Sequence, residues 1–183
     1  MGLLGKAVCA GVILAGVTGC TAPDPFADKA LFKGEPLDLQ NILAANPNKR
    51  ACIEYEAATN SCASLITARV EGNTVIAHEV GAIKIPGTGN TQRVEVVTRS
   101  TLRGGQSCSR SSDLTVAGRD TASAHLLQAK RQLIDGFGGS VCSTYYRSGH
   151  GYVVSTLGAN GEAFPPGDTR FQFIIGEASV RAQ

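Results

Sequence analysis

Charge of one sign is what this chain has least of. Seventeen basic residues stand against 15 acidic ones, a formal net charge of +2. That near balance excludes the strongly basic footprint of a dedicated nucleic-acid binder. Charged residues make up only 17% of the chain and apolar ones 43%. This excludes a disordered chain, which would be poor in apolar residues. Tryptophan is absent, and the aromatics are six Phe and four Tyr. No run of about 20 apolar residues occurs, so no membrane-spanning helix is expected. There is no nucleophile elbow, no phosphate loop, no His-Glu-x-x-His and no dinucleotide fingerprint. Cys-x-x-Cys is also missing and the three histidines are scattered, so neither a metal nor a cofactor is expected. At 183 residues one domain is the default.

The N-terminus is present as an address. Lys6 is the only early side-chain charge, and residues 7–17 are uninterrupted by charge. A short apolar core behind a positive start is the layout of a secretory signal, and it is too short to span a bilayer. It ends in Val17-Thr18-Gly19-Cys20. This tetrapeptide resembles the bacterial lipobox: an aliphatic residue, two small residues, then cysteine. The resemblance implies removal of residues 1–19, diacylglycerol on the Cys20 sulfur and N-acylation of the new terminus. Two or three acyl chains, at ~0.8 kcal/mol per buried methylene, make a stable anchor. Thr21 follows the cysteine. In proteobacterial lipoproteins the absence of Asp there favours the outer membrane, with the protein facing the periplasm. The expected address is therefore the bacterial cell envelope.

The cysteines fit that compartment. Six cysteines less Cys9 in the signal and Cys20 at the anchor leave four: Cys52, Cys62, Cys108 and Cys142. An even number in an exported domain reads as two disulfides. Of the three pairings, Cys52–Cys62 and Cys108–Cys142 are favoured. One closes a local loop; the other joins the start of a β-α unit to the strand after its helix. Loop-closure entropy gives them roughly 3 and 4 kcal/mol.

The expected organisation is a signal at 1–19, a lipidated cysteine and tether at 20–50, and one domain at 51–183. Four of the seven prolines fall in the tether, and residues 37–45 form its one amphipathic piece, with Asp38 near the start of a short helix. From residue 51 the pattern has period two. Ile53, Tyr55 and Ala57 alternate with Glu54 and Glu56, and Ser64, Ile66, Ala68 and Val70 share a face. Gly72-Asn73 suits a hairpin into residues 74–85. In 91–102, Val94, Val96 and Leu102 face one way, and Arg93, Glu95, Arg99, Thr101 and Arg103 the other. Residues 104–112 read as a Gly/Ser-rich link, and 114–116 as a short strand. Ala122, Leu126, Ala129, Leu133 and Phe137, widened by Leu127 and Ile134, mark one helix with Asp120 as N-cap. Strands at 141–147, 152–157 and 170–175 follow. Hairpins with one inserted helix predict an α+β fold: an antiparallel sheet with one main helix packed on one face.

Few residues carry chemistry. Arg93, Arg99 and Arg103 on one strand face, with Arg110 and Arg119 nearby, are candidate anion-binding residues, because guanidinium groups suit phosphate and carboxylate. The bland account is a solvated strand face. Phe164, beside Pro165-Pro166 in the loop 158–169, is a candidate partner-binding residue; the bland account tucks it into the core. His150 in Ser148-Gly149-His150-Gly151 reads as a hairpin turn, and Glu54 with Glu56 as a solvated stripe, ahead of any catalytic use. The expectation is a lipid-anchored envelope protein without assigned catalysis. Its periplasmic domain would bind an envelope protein or an anionic envelope polymer, or support an assembly. The alternative is an enzyme acting on an envelope polymer.

Overall fold

The computed structural model describes residues 34–85, 87–117 and 120–182. The expected signal, Cys20 and most of the tether lie outside the described residues, as does Arg119.

Chain reversal dominates the architecture. β1 (Arg50–Ile53), β3 (Ser64–Glu71), β4 (Thr74–Lys84), β5 (Thr91–Arg103), β6 (Gln106–Arg110), β8 (Ser140–Ser148), β9 (Gly151–Gly158) and β10 (Thr169–Ile174) pair only antiparallel, in the order β4-β3-β1-β10-β9-β8-β6-β5. Thirteen residues long, β5 then pairs with β4 along Thr91–Thr101, and the eight strands close into a barrel. β7 (Leu114–Val116) adds a short pairing on the β6 side of β5. Two short strands, β2 (Ser61–Cys62) and β11 (Ser179–Val180), form a separate parallel pair.

The expected α+β sheet with a helix on one face is therefore corrected to a mainly β barrel. Two pairings make the difference. β5 is long enough to be shared by β4 on one edge and by β6 and β7 on the other. β1 joins the last long strand, with Ala51 opposite Phe173 and Ile53 opposite Phe171. Closure gives every strand of the ring a partner on both sides.

Alternation then sorts side chains into lumen and wall. Val94, Val96, Ser100 and Leu102 of β5 are buried inside, while Arg93, Arg99, Thr101 and Arg103 stand outside. Both helices close mouths of the barrel. α1 (Leu39–Ala44), capped by Asp38 accepting the Gln40 N–H, puts Leu39 on Val75 and Leu102. Its Ile42 meets Ala51, Tyr152 and Phe171. The segment around 37–45 is thus part of the domain core. α2 (Thr121–Gly136), capped by Asp120 accepting the Ser123 N–H, covers the opposite mouth. There Ile134, Leu126 and Leu127 pack on inward-facing Val96 and Val141 and on Leu114. Lying across an opening narrows the helix's buried stripe, so Leu133 is left 38% exposed.

The lumen is filled rather than hollow, as in other small barrels. Phe171 stacks on Tyr152 with centroids 5.1 Å apart and meets Tyr145 and Phe173 edge-on. Beside these rings runs a polar column. Ser107 Oγ shares a 2.7 Å hydrogen bond with Tyr145 OH, Ser143 Oγ one of 2.8 Å with Thr156 Oγ1, and Ser100 Oγ one of 2.8 Å with Ser109 Oγ. Burial pushes the Tyr145 phenol above its ordinary range, against the pull of its Ser107 and Ser143 hydrogen bonds. The unfolded phenol ionises near pH ~10, so below that pH the contribution is complete. Above it the unfolded state gains and stability falls. Denaturant melts at pH 8 and 11 should show this fall. Tyr145→Phe should lose about 1 kcal/mol at pH 8 and show a smaller alkaline fall.

Both expected disulfides form. Cys52–Cys62 is fully buried outside β1, beneath Leu65, Ile174 and Val180, and Cys108–Cys142 crosslinks directly opposed residues of β6 and β8.

Candidate functional site

The outward arginines of β5 do not form one group. Arg93 Nε lies 2.9 Å from Glu95 Oε1, and Glu95 Oε2 lies 3.0 Å from His78 Nε2. Six residues separate Arg93 from Arg99, about 20 Å along a strand, so the two cannot share an ion. Arg99 and Arg103 acquire a different neighbour. Gly104 (φ +56°) and Gly105 (φ +85°) turn the chain in the left-handed region that glycine tolerates. β6 returns with Thr101 opposite Cys108 and Arg103 opposite Gln106. The Ser100–Ser109 bond carries that register onward, and the next outward position places Arg110 beside Arg99. Arg110 in turn pairs with Ser140 of β8.

The result is an open depression of about 250 Å³ on the barrel wall, lined by Thr101, Arg103, Arg110, Asp113 and Ser140 around the Cys108–Cys142 disulfide. Arg99, Arg103 and Arg110 are exposed. Asp113 is the acid facing them, and its Oδ2 accepts the Arg110 backbone N–H at 2.8 Å. Two guanidinium forks with flanking Thr and Ser hydroxyls offer donors to phosphate or carboxylate oxygens. Reading residues 104–112 as a link concealed this: the segment contains a strand, and the strand carries Arg110. The adjacent glycines at 104 and 105, following a clean strand, were the signal for a hairpin.

The other candidates are placed as follows. Phe164 stacks edge-on with Phe137, centroids 5.3 Å apart, and packs against the cluster of Val96, Leu114, Ile134 and Val141. Glu54 and Glu56 do not share a strand face, because β1 ends at Ile53. Glu54 takes a left-handed φ of 48°, with Oε1 accepting the Arg170 N–H at 2.8 Å and its carbonyl accepting from Arg181 Nη2 at 2.6 Å. Glu56 Oε2 accepts from Thr59 Oγ1 at 3.0 Å. The loop of Ser148 and His150 does adjoin Glu54: with Tyr55, Arg170 and Gln172 they line a second depression of about 250 Å³. Here the polar groups of Glu54 hold backbone and Arg181, and His150 stands exposed at the rim. His125 is exposed on α2, away from both depressions. Among the described residues no three His, Cys, Asp or Glu side chains converge as a metal site, and no helix is long and apolar enough to cross a membrane. No family model, no curated protein and no solved structure matches the chain.

Proposed function

We propose that this chain is a cell-envelope lipoprotein, acylated on Cys20, whose barrel is a rigid body that holds an anionic group on the wall formed by Arg99, Arg103 and Arg110. One observation carries the binding part. The lumen is filled by side chains and its mouths are closed by α1 and α2, so recognition falls to the outer wall. On that wall the β5–β6 hairpin gathers exposed guanidinium groups around a crosslink. Support for the anchor is the Val17-Thr18-Gly19-Cys20 sequence and its apolar approach, and the paired cysteines suit an oxidising compartment.

Two measurements test this. Radioactive palmitate should label the protein in cells, and Cys20→Ser should abolish the label; a labelled Cys20→Ser protein overturns the anchor. Crosslinking capture from intact cells should fall about ten-fold when Arg99, Arg103 and Arg110 are all changed to Gln, since lost charge-assisted contacts of ~1.4 kcal/mol in sum give that factor. Exposed positions predict a thermal midpoint unchanged within about 2 °C. Undiminished capture overturns the arginine wall.

A further inference from the structure

The chain enters the barrel between two hairpins that each carry an arginine near the tip. β6 begins only at Gln106, so it leaves one edge of β8 uncovered beyond Ser143. The entering segment fills that gap: Leu37 N–H donates to Tyr145 O at 2.8 Å, and Leu39 N–H donates to Gly105 O at 3.1 Å. A Cβ at Gly105 would lie 3.3 Å from Asp38 Cα, so the entry presses directly on the β5–β6 turn. On one side of it Arg103 precedes Gly104. On the other, Arg147 follows Tyr145 by two positions and leads into the Ser148–Gly151 turn, its guanidinium 4.9 Å from the Tyr152 ring centroid. Both arginines are exposed, and Arg99 and Arg110 continue the positive strip up the wall from Arg103. Among the described residues, Asp38, Glu35 and Glu71 lie toward this end, Glu54 lines the same depression as the Ser148–Gly151 turn, and Asp113 lies up the wall at Arg110. Asp38 and Asp113 hold backbone N–H groups at 2.7 and 2.8 Å, Glu71 pairs with Arg69 at 2.7 Å, and Glu35 is exposed on the entering segment.

We infer that this end of the barrel lies against the bilayer that holds the anchor, with Arg103 and Arg147 taking the phosphates of anionic lipid headgroups and Arg99 and Arg110 reinforcing them. The inference rests on acylation of Cys20 and names the occupant of the arginine wall. Fourteen Cα steps separate Cys20 from Gly34, which at full extension reach about 50 Å. The chain therefore leaves the described barrel at the end where the arginine tips stand, within reach of an anchor at Cys20. Tethering raises the local concentration of headgroups into the millimolar range or above, so a small attraction per arginine is sufficient. A guanidinium matches a phosphate in a two-bond fork.

The test uses the full protein purified from membranes, with its acylation read by intact mass. It is placed in nanodiscs of phosphatidylcholine, or of phosphatidylcholine and phosphatidylglycerol at about 7:3. Trypsin cleavage after Arg103, Arg147 and Lys84 is timed by mass spectrometry; Lys84 is exposed at the end of β4, toward the opposite mouth. Cleavage after Arg103 and Arg147 should be about ten-fold slower in the anionic discs and equal after Lys84, as expected for attraction of a few-fold per arginine. The difference should vanish at about 0.5 M salt. In the Arg99→Gln, Arg110→Gln protein the protection should drop to about two- or three-fold. An acylated protein cleaved equally in both discs overturns the docking and leaves the anchor standing. A bare polypeptide mass overturns both.

Discussion

Phe171→Ala should cost about 3–5 kcal/mol of unfolding free energy, the range for truncating a buried aromatic. Phe171 is 7% exposed and forms the centre of the aromatic packing in the lumen. It stacks on Tyr152, meets Tyr145 and Phe173 edge-on, and supports Ile42 of α1. The residue also belongs to β10, which pairs with β1 on one side and β9 on the other. The loss would therefore weaken ring closure and the α1 plug together. Urea melts under oxidising conditions measure it. Phe171→Leu should lose less, about 1–2 kcal/mol, because most of the volume remains. An alanine variant within 1 kcal/mol of the parent would mean that the aromatic packing contributes little.

The second large effect belongs to the Cys108–Cys142 bridge. Its sequence separation of 34 encloses a single helical turn at Ser111–Asp113, β7 and all of α2, and loop-closure entropy assigns such a crosslink about 4 kcal/mol. The double change Cys108→Ser, Cys142→Ser should therefore lower stability by about 2–4 kcal/mol, read as a fall in the denaturant midpoint. Reduction of the parent protein opens Cys52–Cys62 as well and should lower the midpoint further, while the variant should fall on reduction only by the share of Cys52–Cys62. The pair also joins the two strands that carry Arg110 and Ser140, so its loss should loosen the spacing of the arginine wall. An unchanged midpoint in the double variant would show that strand pairing alone fixes this seam.

Much of the local structure was legible. Asp38 and Asp120 mark both helix starts, Gly72 sits at a left-handed turn (φ +60°), and the alternation over β5 assigns its lumen and wall faces correctly. These features are local, and local chemistry decides them. Closure was not legible, because period two states that a residue alternates and not which strand lies beside it. The Ala51–Phe173 pairing joins partners far apart in sequence, and closure needs β5 long enough to hold β4 on one edge and β6 with β7 on the other. The same limit explains the helix: its apolar stripe says that it buries a face, and a barrel mouth satisfies that as well as a sheet does. At the candidate site Arg99 and Arg103 were readable as outward. Their meeting with Arg110 required knowing that residues 106–110 form a strand. Glu54 and Glu56 misled for a related reason: alternation continues past Ile53, but the chain leaves the ladder there through a left-handed residue.

The β1–β10 seam governs how such a ring can be assembled. β3, β4 and β5 follow one another closely and can zip up from their turns, whereas Arg50 finds Ile174 only after 124 residues of intervening sequence distance. Contacts of that span are slow to form, because the entropy of bringing the ends together precedes any reward. For a polypeptide delivered from its N-terminus, β1 pairs early with β3 on one edge, and its other edge waits unmatched until nearly the last strand has arrived. During that interval the half-built curl is open to pairing with its own kind, so escort of the nascent chain matters most just before the final hairpin is released.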